Sequence, residues 1–138
     1  MKDLTPNLAV RDIKETVAFY RDILGFELMM AVPEDKSDFA PVLQEDKKYL
    51  FAQMKKDNIE LMLQEIESLK EDVGAFFDKI GGSLTLFIRV EDVDKLYSDI
   101  SQKVEIVKDI ETTWYGMKEF YIKDCNGYVL GFAQESIE

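Results

Sequence analysis

The chain has 138 residues, a formal net charge of −11 from 28 acids and 17 bases, no histidine and one cysteine. That length fits one domain or two small fused halves, and 46% hydrophobic residues are enough to build a core. The acidic balance disfavours nucleic acid and anionic membrane surfaces, whose phosphates need Lys and Arg, and suits a cationic ligand.

In chain order, Thr5 to Arg11 reads as a short strand with Leu8 and Val10 on one face. Asp12 can cap a helix, with Glu15 three residues on, and Ile13, Val17, Tyr20 and Leu24 follow at helical spacing up to Gly25. Phe26 to Val32 is a second strand stopped by Pro33. Glu34 to Lys48 is a polar, mobile loop in which Phe39 is a candidate lid residue. Strands Tyr49 to Met54 and Ile59 to Glu65 flank a turn at Lys55 to Asn58, and Glu67 to Ile80 is helical up to Gly81-Gly82.

The opening pattern then returns. Ser83 to Val90 is a strand, Asp92 a cap, and Val93, Leu96, Tyr97 and Ile100 a helical face. Val104 to Thr112, Lys118 to Lys123 and Tyr128 to Gln134 are strands, with Asn126-Gly127 as the last turn. Val10-Arg11-Asp12-Ile13 matches Val90-Glu91-Asp92-Val93, so each half reads strand, helix, three strands.

Several chemistries are excluded directly. Ser-His-Asp and Cys-His nucleophile systems need a histidine. Gly81-Gly82 lacks the Lys-Ser/Thr of a phosphate loop. Lone Cys125 permits no intrachain disulfide, which fits a reducing compartment. No stretch reaches the roughly 18 apolar residues of a membrane span, and no apolar signal region follows Met1-Lys2-Asp3. A cytoplasmic protein is expected.

Asn7-Leu8-Ala9-Val10-Arg11-Asp12 through Phe19-Tyr20-Arg21-Asp22-Ile23-Leu24-Gly25-Phe26 resembles the N-terminal signature of the vicinal oxygen chelate superfamily. That group includes glyoxalases, bleomycin-resistance proteins and extradiol dioxygenases. Trp114 to Phe120 and Lys123-Asp124-Cys125-Asn126-Gly127-Tyr128 resemble its closing hairpin, with Cys125 where the family usually carries Pro. The resemblance implies an α+β fold of paired βαβββ modules, forming a cupped mixed sheet with helices on the convex face. It implies a single domain over 1–138, with module one at about 1–65, a linker helix at about 66–82 and module two at about 83–138. The metal-ligand positions of the family fall on Thr5, Glu60, Thr85 and Gly131, of which only Glu60 keeps a ligating carboxylate. The resemblance therefore implies a relative with no metal and no cofactor, closest to the bleomycin-resistance type.

Strand alternation then sorts the side chains. With Glu60 inward, Met62 and Gln64 follow it, and Leu61 and Leu63 go to the helices. With Thr85 inward, Phe87 and Arg89 follow, leaving Leu84, Leu86, Ile88 and Val90 for the core. Tyr49, Phe51 and Gln53 share a face, with Leu50, Ala52 and Met54 the better buried set. Glu119 and Tyr121 share a face opposite Phe120 and Ile122. The expected ligand-binding set is Glu60, Trp114, Phe87, Tyr121, Phe51, Tyr49, Thr85, Tyr115, Phe39 and Arg89. Aromatic walls with one acid suit a flat or cationic small molecule.

Three readings of function stay open. The favoured one is a homodimeric small-molecule-binding protein that holds an aromatic or cationic, antibiotic-like compound without a metal or catalysis. The second is an enzyme in which Glu60, desolvated among aromatics, is a general base on a carbon acid. The third is an interaction module whose cup is filled by Phe87 and Tyr121.

Overall fold

A computed structural model describes residues 2–73 and 84–135. The chain divides into two compact units, Met1–Phe76 and Phe77–Glu138. The fold is α+β, with a four-stranded mixed sheet in each unit.

The first unit runs β1 (Asn7–Val10), α1 (Ile13–Ala18, widening into π-helical turns over Phe19–Ile23), β2 (Glu27–Pro33), β3 (Tyr49–Lys56) and β4 (Ile59–Glu65). The helix α2 (Ile66–Val73) follows. Its sheet order is β1-β4-β3-β2, with β1 parallel to β4 and the other pairs antiparallel. The second unit repeats the plan as β5 (Thr85–Arg89), α3 (Val93–Ile100), β6 (Glu105–Thr112), β7 (Met117–Lys123) and β8 (Val129–Glu135). Its order is β5-β8-β7-β6, again with a single parallel pair, β5 to β8. Each unit is thus a βαβββ module.

Both module helices begin on an aspartate. Asp12 Oδ1 accepts from the backbone N–H of Lys14 at 2.9 Å, and Asp92 Oδ1 from that of Lys95 at 3.0 Å. Non-helical backbone at the cap lets the carboxylate fold back onto N–H groups that the helix leaves unsatisfied. The Asp12 cap works through Lys14 and not through a Glu15 capping box. Gly25 ends the first helix at φ +79, a conformation that costs glycine little.

Each helix buries one face of its own sheet. In the first unit Ile13, Val17 and Tyr20 are buried, as are Leu61, Leu63, Ala52 and Met54. In the second, Val93 and Ile100 lie over Phe120, Ile122, Leu130 and Phe132, and the Tyr97 ring meets Phe120 edge-on at 5.1 Å. A side chain buried in this way contributes about 1.5–3 kcal/mol.

The elements depart from the sequence reading at their ends. Thr5 precedes β1, which starts at Asn7. The β3–β4 turn is Asp57-Asn58 alone, with Asp57 at φ +53. Leu84 lies before β5 and is 49% exposed, so it leaves the core expected of it. The long-helix expectation holds over Ile66–Val73, and its remainder, with Gly81-Gly82, lies outside the described residues. The loop 34–48 carries no helix or strand, but it is tied down. Lys14 Nζ donates to the carbonyls of Gln44 and Glu45 at 2.8 and 3.0 Å, and Lys47 Nζ to Ser37 Oγ at 2.8 Å. The last turn hangs on Asp124, whose Oδ1 accepts from the N–H groups of Asn126 and Tyr128, with Gly127 at φ +93.

Candidate functional site

With one face of each sheet committed to its helix, the opposite face is where a ligand could be met. In the first unit that face carries Glu60, Met62 and Gln64 on β4, and Phe51 and Gln53 on β3. Gln53 Nε2 donates to Glu60 Oε1 at 2.8 Å. Glu60 is exposed, so the desolvation a general base would need is absent.

A register shift near Pro33 rearranges the start of β3. Val32 pairs with Phe51 and Pro33 with Tyr49, so Leu50 is a bulged residue. The bulge sends Tyr49 to the helix face, where it is 3% exposed and lies under Lys14 Nζ at 5.7 Å. Its hydroxyl accepts from the Gln44 N–H at 2.8 Å and donates to the Val42 carbonyl at 3.3 Å, pinning the long loop. Leu50 takes the opposite course and joins Phe51 on the open face. The expected order of Tyr49 and Leu50 is therefore reversed. Strand alternation cannot foresee a bulge from sequence alone.

Leu50, Phe51 and Val32 form the apolar floor of a cavity of about 450 Å³. Helix α2 walls one side. Gln64, 6% exposed, donates through Nε2 to Ser68 Oγ at 3.0 Å and to Asp72 Oδ2 at 2.6 Å, and its Oε1 accepts from Asn7 Nδ2 at 3.0 Å. Every polar group of that buried amide is used, so Gln64 is the peg that holds α2 against β4. The cavity rim carries Glu34, Glu65, Glu67, Glu71 and Asp72 against Lys36 and Lys48. Its lining is net negative. Except for Phe51, which it named for ligand binding, and Gln64, which it turned inward with Glu60, the sequence reading placed none of these at a site, because the cavity exists only once α2 folds back onto β4.

In the second unit the open face carries Thr85, Phe87 and Arg89 on β5, Gly131 and Ala133 on β8, and Glu119 and Tyr121 on β7. The expected alternation holds here. Phe87, Gly131 and Tyr121 are paired in register across three strands. A Cβ added at Gly131 would lie 2.4 Å from Tyr121 Cε2, so the tyrosine ring lies flat over bare backbone. Thr85, Phe87 and Arg89 are exposed, Phe87 by 51%.

Glu119 is the acid of this face and is 2% exposed. Its Oε1 accepts from the Tyr115 hydroxyl at 2.5 Å and, more weakly, from that of Tyr121 at 3.4 Å. Tyr115 reaches it from a tight turn, Thr113–Met117, closed by paired hydrogen bonds between Thr113 and Met117 and by Gly116 at φ +84. Trp114 stands on the same turn, 94% exposed, edge-on to Tyr115 at 5.2 Å. The Tyr115 hydroxyl is held above the ordinary tyrosine range, first by its bond to Glu119. Tyr121 is raised too, first by burial and then by the Glu119 charge. Strand parity placed Glu119 on this face, but the ligand-binding set left it out. The signal was an acid among core-flanked strand positions. Phe39, 62% exposed, stays at the surface of the first-unit loop.

The four positions that the resemblance marks for metal ligation do not fit a metal. Gly131 has no side chain and its space is filled by a ring, Thr85 and Thr5 offer neutral hydroxyls, and Glu60 is bonded to Gln53. Among the described residues, no group of three or more His, Cys, Asp or Glu is placed to hold a metal ion. No helix among them is long and apolar enough to cross a membrane.

Residues 4–132 match the family described as the Glyoxalase/Bleomycin resistance protein/Dioxygenase superfamily. The chain belongs to that superfamily. It is 30% identical over 105 residues to YraH of Bacillus subtilis (strain 168), an overlap of 75% of this chain and 73% of that protein. Solved superfamily structures share the fold at lower identity. A glyoxalase-related enzyme from Fulvimarina pelagi superposes with a TM-score of 0.69 at 17% identity, covering 98% of this chain and 89% of that one. A lactoylglutathione lyase from Agrobacterium tumefaciens superposes with a TM-score of 0.61 at 17% identity, covering 97% and 94%.

Two predictions test the second-unit geometry of this superfamily member. Gly131→Ala is expected to destabilise the protein by about 1–3 kcal/mol in urea unfolding, because the added methyl must displace a packed ring. The same change in a Tyr121→Ala background should cost much less, and equal costs in both backgrounds would refute the contact. The tyrosine shifts have a sign as well. A phenol whose folded pKa is raised stabilises the fold fully below its unfolded pKa of about 10, and that contribution is lost as pH rises through the higher folded value. Absorbance at alkaline pH should show three late-titrating tyrosines, Tyr97, Tyr115 and Tyr121, of which only Tyr115 and Tyr121 move earlier in Glu119→Gln, because Tyr97 is raised by Asp109.

Proposed function

We propose that this protein binds a cationic, aromatic small molecule reversibly and without a resident metal, in the cavity of the first unit. The observation that carries this reading is the cavity itself. It combines a Phe51 and Leu50 floor with an acidic rim, at a volume suited to a drug-sized ligand. The ring face attracts a cation, and the carboxylates raise its local concentration. The misfit of the four family ligand positions supports a role that does not route through a metal. Sequestration of an antibiotic-like compound is the form of binding we favour. The exposed Trp114 would then serve as a stacking or partner surface in a homodimer, since Trp is enriched at such contacts.

Calorimetry with a panel of planar cationic compounds and their neutral analogues tests the reading. Cations should bind with micromolar affinity, neutral analogues much more weakly, and added salt should weaken binding by screening the rim. Phe51→Ala should cost about tenfold in affinity. The absence of binding by every cation, or affinities indifferent to charge and salt, would refute it. Sedimentation of the same samples reports the homodimer, and Trp114→Ala should shift it toward monomer.

A further inference from the structure

Glu119 carries an acceptor that none of the described residues uses. The residue is 2% exposed, and its Oε2 is buried with no hydrogen-bond partner. Buried polar atoms are almost always satisfied, and a carboxylate oxygen enclosed without a donor is costly. A cation close enough to feel the Glu119 charge is Lys108, whose backbone position pairs with Tyr121. Lys108 Nζ is instead bonded to Glu111 Oε2 at 2.9 Å. Both tyrosine hydroxyls point at the other oxygen. Among the described residues, no donor or ion-pair partner is bonded to that oxygen.

The partner that would satisfy it must bring both. An N–H donor fills the empty acceptor, and a positive charge neutralises the carboxylate. The rings of Tyr115 and Tyr121 offer π faces to the same charge. A neutral alcohol supplies the donor without the charge. A quaternary ammonium supplies the charge without the donor. Of these three, only a protonated amine has the two together. Tyr115, half exposed beside Trp114, covers Glu119 through its hydroxyl bond.

We propose that Glu119 Oε2 is the acceptor for a protonated primary amine carried on a small aromatic body, held on the open face of the second unit. This site shares no residue with the first-unit cavity, so either can fail alone.

The test uses the full chain, labelled with ¹⁵N, and three probes of one shape: benzylamine, benzyltrimethylammonium and benzyl alcohol. Benzylamine at neutral pH is expected to shift the backbone amides of Tyr115, Glu119, Tyr121 and Gly131 in a saturable way. The quaternary ion and the alcohol should each bind at least about tenfold more weakly, the margin of one charge-assisted hydrogen bond. Glu119→Gln should weaken benzylamine by a similar factor. If that variant fails to fold, the ranking of the three probes on the unaltered chain still decides. Equal binding of benzylamine and the quaternary ion would overturn the proposal. So would amide shifts confined to Phe51 and Gln64, a result that would support the first-unit cavity alone.

Discussion

Everything functional in this protein follows from how a four-stranded sheet is shared between a helix and solvent. Each module has one helix, and that helix can bury only one sheet face. Leu61 and Leu63 under α1, and Phe120 and Phe132 under α3, take that face. The other face is left with side chains that the core does not need. In the first unit these are Glu60, Gln64 and Phe51, and in the second Phe87, Glu119 and Tyr121. Strand pleating makes the division strict, because a side chain cannot serve both faces.

The two units use that freedom differently. In the first, α2 returns over β4 and is pegged by the buried Gln64 amide, which produces a walled cavity with an acidic rim. In the second, no helix among the described residues returns. The open face is instead furnished by side chains lying along it, with the Tyr121 ring over Gly131 and the Tyr115 hydroxyl on Glu119. A sequence repeat has thus become two unlike surfaces. The first is a cavity with an apolar floor and an acidic rim. The second buries one carboxylate, Glu119, beneath two tyrosine hydroxyls.

The superfamily relationship bears on these surfaces in a limited way. It accounts for the βαβββ plan and the capping aspartates at its strand-to-helix junctions. It does not furnish the chemistry, since one fold hosts many sites. At the four positions the family uses for metal, this chain offers two hydroxyls, an exposed acid and a glycine under a ring. Its acids are gathered elsewhere, on the rim of the first-unit cavity and beneath Tyr115.

The repeat of Val10-Arg11-Asp12 at Val90-Glu91-Asp92, the helical spacing of Ile13, Val17 and Tyr20, and the alternation of β4 and β5 were legible in the residues alone. Each is a local rule of backbone geometry, and each holds in the fold. Glu119 was within reach of the same parity, which placed it beside Tyr121 without revealing its burial. Tyr49 was not legible, because a bulge at Leu50 depends on how β2 and β3 are matched around Pro33. The cavity was not legible either, since it needs α2 to contact β4 through a hydrogen bond from Gln64 to Asp72. Nor was the clash-limited place of the Tyr121 ring over Gly131, a contact across two strands. Periodicity says which way a side chain points. Only the pairing of distant segments decides what it meets there, because burial and hydrogen bonding are set by neighbours in space and not along the chain.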